Sequence, residues 1–239
     1  MARWGVKDVM EVMLKAWPVD LTENAVDLLL QFGRVGKFEA GSVIARQGSA
    51  SKGLHILLAG QADVTVLRPS GKELIINILG LGQAYSFLHI YHPDPHSSNL
   101  VARTSCEVLI VPTRDWLRIT DTCPELKDAV ISIIAMRLGG ALEALTFSNL
   151  NSGIARLAHR LLVHVLQNRT VDATGLVSSA FEVTLTQAHL ASMISLSRQR
   201  TNALLQQLEE CGALQLEYGR IRINDINTLR KVIAESESQ

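Results

Sequence analysis

Apolar positions along this chain keep three rhythms in turn, and each change of rhythm marks a change of structure. Across residues 21–32, Leu21, Ala25, Leu28, Leu29 and Phe32 fall at helical spacing, predicting a short amphipathic helix with Thr22 as N-cap and Gly33 just past its end. Across 36–112 the texture changes to short apolar runs punctuated by Gly41, Gly48, Gly53, Gly60, Gly71, Gly80 and Gly82, the mark of strands joined by turns. Residues 54–58, 62–66, 74–78 and 108–111 are strand-length and rich in β-branched side chains, and Pro69-Ser70-Gly71 supplies a turn between the second and third. With no long helices between them, such strands favour an antiparallel sandwich or jelly roll over a parallel sheet.

Pro124 opens the next rhythm. Ile131, Ile134, Leu138, Ala141 and Leu145 alternate three and four apart, which is the a/d seam of a coiled coil. Val130, Ile133 and Leu142 flank that seam, so one face can lie on the β-domain while the seam meets a second copy of the chain. A helix packed wholly into its own domain stays open as the other reading. Gly139-Gly140 predicts a bend or a close approach, because each glycine costs a helix about 1 kcal/mol against alanine. Residues 149–153 break the pattern with Asn, Ser and Gly, and a further amphipathic helix follows through Ala155, Leu157, Leu161, Leu162 and Leu166. The expected division is a β-rich domain over 1–123, a helix over 124–150 and a C-terminal domain over 151–239, an α+β chain in all.

The C-terminal domain carries the most informative pattern. Residues 181–185 read as a short strand, and Thr186 as the N-cap of a helix burying Leu190 and Ile194. Ser195-Leu196 makes a turn, and Ser197 caps a second helix in which Thr201, Leu204, Leu205 and Leu208 form the buried stripe. That leaves Arg198, Gln199, Asn202 and Gln206 outside, with Gly212 as the stop. Two short helices about a tight turn form a helix-turn-helix, whose second helix lies in the major groove of DNA. Arg pairs bidentately with guanine and Gln or Asn with adenine, so Arg198, Gln199 and Asn202 are the candidate base readers. Thr186, Gln187, Ser197 and Arg200 sit at or near helix N-termini and suit phosphate oxygens. Residues 214–216 and 221–223 flank a hairpin with Arg220 near its tip, a wing. A solvated helix face is the competing reading of these polar residues taken singly; the cap, turn, stripe, polar face and hairpin in this order favour DNA.

Composition narrows the rest. Hydrophobic residues make up 47% and charged residues 19% of the 239, which suits packed globular domains. Net charge is zero, so no global basic footprint supports nucleic-acid binding and the case rests on local arrangement. The first residues mix charges among the apolar positions and no later run reaches membrane-span length, so a cytoplasmic protein without a membrane partner is expected. Cys106, Cys123 and Cys211 are odd in number and widely separated, predicting three buried thiols without a disulfide framework. Phosphate loops, nucleophile elbows and paired-histidine zinc motifs are absent from the sequence, so catalysis is not expected.

Leu185-Thr186-Gln187-x-x-Leu190-Ala191 followed by Ser197-Arg198-Gln199-x-x-Asn202-x-x-Leu205-x-x-Leu208-Glu209-x-x-Gly212 resembles the DNA-binding signature of the Crp/Fnr superfamily of bacterial transcription regulators. Gly41, Ile44, Gly48, Gly60 and the Gly71-Lys72-Glu73 turn are similar to that family's cyclic-nucleotide-binding jelly roll. The resemblance runs from about Leu21 to Val232. It implies a β jelly-roll sensor, a dimerisation helix and a winged helix-turn-helix, acting as a homodimer on double-stranded DNA and contacting RNA polymerase. The family's cyclic AMP pattern is Gly-Glu-Leu followed by an Arg-Ser/Thr pair. Residues 82–88 lack that Glu, and His96-Ser97-Ser98 lacks that Arg. A cyclic phosphate would lose its bidentate partner, so an effector other than cyclic AMP, or none, is expected. The iron-sulfur branch needs an N-terminal Cys cluster, and no Cys precedes Cys106. Tyr85, Phe87, Leu88, Ser97, Ser98, Ala141 and Leu142 are the candidate lining of an apolar effector pocket. An alternative is a signalling module that senses haem or a metal through His89, His92 and His96, set against the same histidines as solvated loop residues.

Overall fold

The computed structural model describes residues 4–14, 16–71, 73–92, 94–148, 152–167, 181–183, 187–194, 196–217 and 220–237. Contacts divide the chain into two compact units, 1–136 and 137–239.

In the first unit, helices α1 (Val6–Met13) and α2 (Glu23–Phe32) precede strands β1 (Arg34–Phe38), β2 (Val43–Ala45), β3 (Gly53–Ala59), β4 (Ala62–Leu67), β5 (Glu73–Leu79) and β6 (Ala84–Tyr85). A short helix α3 (Phe87–Tyr91), strands β7 (Asn99–Ala102) and β8 (Cys106–Pro112), and helix α4 (Thr113–Thr122) follow, and α5 (Pro124–Ser148) begins here. The strands form two antiparallel four-stranded sheets, ordered β1-β8-β3-β6 and β2-β7-β4-β5. This is the expected sandwich.

Strand β3 is buried on both faces, and its period of two sends each face to a different core. Leu54, Ile56 and Leu58 join Leu109 and Val111 beneath the helices, against Val9, Val26, Leu29, Trp116, Leu126 and Val130. Leu57 faces the second sheet with Val64, Leu79, Leu100 and Val108. Leu126, Ala129, Val130 and Ile133 place the first half of α5 in this unit's core, with Ile134 partly buried against it. Ile131, Leu138 and Leu142 are more than half exposed. Leu142 therefore does not share the buried flank that the sequence suggested for it. Helix α5 runs unbroken past Gly139-Gly140, and a Cβ at Gly139 would meet nothing within 4 Å, so no close approach within the described residues requires that glycine.

Caps fix α2 in place. Thr22 Oγ1 accepts from the Ala25 backbone N–H at 3.2 Å, as its position predicted, and also donates to Glu125 Oε1 at 2.6 Å, tying the start of α2 to the first turn of α5. Gly82 adopts a φ of +74, and a Cβ there would lie 2.3 Å from the Val12 carbonyl oxygen, so the turn before β6 packs directly on α1. Cys106 and Cys123 are buried as expected, whereas Cys211 is exposed just past the end of its helix.

In the second unit, α6 (Gly153–Gln167), β9 (Phe181–Val183), α7 (Gln187–Met193), α8 (Arg198–Glu210), β10 (Leu214–Glu217), β11 (Arg220–Ile223) and α9 (Ile226–Glu237) follow one another. The strands pair antiparallel in the order β10-β11-β9. Ala155, Leu157, Leu161, Leu190, Leu205, Leu208, Leu214, Ile223 and Leu229 are buried, and α6 packs against α8 and α9. No helix among the described residues is long and apolar enough to cross a membrane.

Candidate functional site

Helix α8 has the construction that the sequence led us to expect. Ser197 Oγ accepts from the Arg200 backbone N–H at 3.2 Å, and Thr201 Oγ1 donates to the Ser197 carbonyl at 3.0 Å, so both ends of the first turn are bonded. Thr201, Leu204, Leu205 and Leu208 are buried. Arg198, Gln199, Arg200 and Gln206 are exposed and Asn202 is half-buried, which gathers them on the opposite edge. Before this helix, the Leu196 N–H bonds the Ala191 carbonyl at 3.0 Å, closing α7 into the turn. Gln187 is half-buried at the start of α7. Thr186, Ser195, Tyr218 and Gly219 lie outside the described residues.

The first turn of α8 contains no acidic residue but two arginines. Cations at a helix N-terminus work against the helix dipole by about 0.3–1 kcal/mol each. Stability alone would place Asp or Glu there. The same arrangement, positive charge beside free backbone N–H groups, suits a polyanion.

Past α8, Gly212 with a φ of +78 reverses the chain, and Glu209 Oε1 accepts from the Leu216 N–H at 2.7 Å, tying the helix to β10. The β10–β11 register pairs Glu217 with Arg220 and Gln215 with Arg222. Arg220 and Arg222 are exposed while Ile221 and Ile223 are buried. Of these two arginines, only Arg220 is expected from the sequence motif. The signal for Arg222 was the strict alternation of Arg-Ile-Arg-Ile.

The first unit holds a second cluster, which differs from the apolar pocket expected there. Ser86, a non-glycine residue with a φ of +82, caps α3 and turns Phe87 inward and Leu88 outward. Phe87 packs edge-on against Trp17 in the core under the helices, with centroids 6.3 Å apart. Tyr85 lies instead between the sheets. Leu88 is 63% exposed, Ser97 is exposed, and Ala141 and Leu142 are exposed on α5. Of these residues, the five in the first unit therefore do not share one apolar lining. Tyr85 and Ser98 do meet, the Tyr85 hydroxyl donating to the Ser98 carbonyl at 2.8 Å.

Around that pair the interior is polar. His96 stacks on Tyr85 with centroids 5.3 Å apart, and its Nδ1 is buried with no hydrogen-bond partner. His55, which the sequence alone shows only as part of a strand, sits edge-on to Tyr85 and 3.3 Å from Ser86 Oγ through its Nδ1. Burial and the neighbouring His96 push the His55 pKa down to about 4, and burial lowers that of His96. The His55 imidazole is thus neutral at pH 7.

The three loop histidines diverge. His89 meets the edge of His96 at 4.7 Å, whereas His92 turns to Asp94 at 3.0 Å in the open. The solvated-loop reading suits His92 but not the buried His96. Among the described residues no group of three His, Cys, Asp or Glu side chains is placed to hold a metal ion. The cluster does not suit a cyclic phosphate either, because His55, Tyr85, Ser86, His96 and Ser98 bring no fixed positive charge to it.

Comparison with known proteins agrees with this geometry. Residues 35–123 match the model of the cyclic nucleotide-binding domain, and residues 155–232 match that of the Crp-like helix-turn-helix domain. The CRP-like cAMP-activated global transcriptional regulator of Mycobacterium tuberculosis is 26% identical over 200 residues, which cover 81% of this chain and 85% of that protein. A probable transcriptional activator of Rhizobium leguminosarum bv. viciae is 24% identical over 201 residues, 83% of this chain and 80% of that protein. Among solved structures, a mutant of CooA from Carboxydothermus hydrogenoformans shares the fold with a TM-score of 0.71 at 16% identity, covering 92% of this chain and 99% of its own. A CRP/FNR family regulator from Thermus thermophilus does so with a TM-score of 0.63 at 18% identity, covering 84% and 98%. With both domain models matched in order along most of its length, the chain belongs to the Crp/Fnr superfamily of transcription regulators.

Proposed function

We propose that this regulator binds DNA sequence-specifically as a homodimer on a pseudo-palindromic site, under an effector other than cyclic AMP or under none. The observation that carries the reading is the edge of α8: Arg198, Gln199 and Asn202 lie opposite a fully buried stripe, on a helix whose first turn is bonded through Ser197. Arg198, Gln199 and Asn202 read base edges, while Thr186, Gln187, Ser197, Arg200, Gln206 and Arg220 hold the duplex. The exposed residues of α5, with Ile131 and Leu138 foremost, meet a second copy. Two-fold symmetry then sets the half-sites about 34–36 Å apart. The jelly roll over 1–123 is the sensor, 124–150 the dimer helix and 151–239 the DNA-binding domain; the protein works in the cytoplasm and contacts RNA polymerase.

The test compares Arg198→Ala with Arg220→Ala on preferred and scrambled duplexes. Losing one bidentate base contact costs about 1–3 kcal/mol of discrimination. We expect Arg198→Ala to remove most of the preference and Arg220→Ala to weaken both duplexes equally. Equal loss of preference in the two variants contradicts the assignment.

A further inference from the structure

The exposed face of the three-stranded sheet carries a cation that the DNA-binding reading above leaves unused. Residues two apart on a strand share a face, so Arg220 and Arg222 stand in line on β11, about 6.8 Å apart along the strand. That spacing is close to the through-space separation of adjacent phosphates on one DNA strand, about 7 Å once the helical turn is added to the axial rise. Arg222 lies on the central strand, opposite the neutral Gln215 on β10 and opposite Glu182 on β9. Over residues 151–239 the chain has nine Lys or Arg against eight Asp or Glu. A near-neutral domain has no broad positive field to draw in DNA, so individual arginines on suitable elements carry a large share of the attraction.

The geometry points to Arg222 as a second phosphate-binding position of the wing, in line with Arg220, so that the hairpin grips one DNA strand at two phosphates. This rests on the DNA-binding reading. The register also offers Arg222 a different role, a cross-strand partner for Glu182 that contributes only to the sheet.

The full-length protein is titrated with sheared mixed-sequence duplex DNA over a range of salt concentrations, as wild type, Arg222→Ala, Arg222→Lys and Glu182→Gln. Each phosphate neutralised adds about 0.9 to the slope of log affinity against log salt. With one Arg222 from each copy of the homodimer, Arg222→Ala should lower the steepness by about 1.8, and Arg222→Lys, which keeps the charge, should restore it. A wild-type slope in both Arg222→Ala and Glu182→Gln overturns the proposal in favour of the sheet partner. So does an equal loss in the alanine and lysine variants, which would trace the effect to something other than charge. Wild-type protein with no salt-sensitive DNA complex overturns the underlying reading itself, and is thereby distinguishable from failure of Arg222 alone.

Discussion

His55 shows how one side chain inside the sandwich ties stability to pH. Its strand alternation turns it away from Leu54 and Ile56 and toward Tyr85, where burial disfavours the imidazolium and lowers its pKa to about 4 from 6.5. The folded state therefore binds this proton less readily than the unfolded chain. Stability from the neutral ring is complete above pH 6.5, falls as the pH drops from there to about 4, and amounts to about 3 kcal/mol in full. His96 acts in the same direction. Denaturant unfolding of the wild type and His55→Asn at neutral pH and at about pH 4 checks this. The variant should lose clearly less stability on acidification than the wild type, and equal losses would show that His55 is not the group responsible. At this scale the sequence was legible where a residue's role follows from its neighbours in the chain. Ser197, Thr22 and the stripe on α8 are of that kind. It was illegible where the role depends on a strand brought from elsewhere, as with His55, Ser86 and the buried His96.

Among the elements, α5 has two unlike faces. Its inner residues Leu126, Val130 and Ile133 are covered by the β-unit, while Ile131, Met136, Leu138 and Leu142 remain more than half exposed. Covering a side chain of this size contributes about 1.5–3 kcal/mol, ample reason for two copies to pair along the stripe. Native mass measurement should give twice the chain mass of 26.2 kDa for the wild type and a single chain for Leu138→Asp. A dimer that survives Leu138→Asp places the interface elsewhere. Elements that announce themselves by length and period were predicted from sequence: α2, α8, the start of α5 at Pro124, and strands β3, β4, β5 and β8. Apart from the twelve-residue α9, those missed are short or mixed. Strand β6 has two residues, β1 carries Arg34, Gly36 and Lys37 in five, and α4 buries only Trp116, Ile119 and Thr120 of its ten. Such segments owe their conformation to the surfaces they pack on, and a local window contains no trace of those surfaces.

For the molecule as a whole, the order of a β-sandwich, a long helix and a winged helix-turn-helix was legible because each part has its own rhythm. The effector was not. An apolar lining was expected, and the polar group of His55, Tyr85, His96 and Ser98 is brought together from segments distant in the chain, beyond the reach of a local pattern. Net charge of zero adds a constraint on function: affinity for DNA has to come from a few placed arginines and from base contacts, not from a general field.

The most direct test of the central claim is guanine-N7 methylation protection on the tightest duplex selected from a random pool, since N7 faces only the major groove. The account predicts two protected patches one helical turn apart, about 34–36 Å, both lost with Arg198→Ala. Binding without N7 protection, or protection that survives Arg198→Ala unchanged, would contradict it.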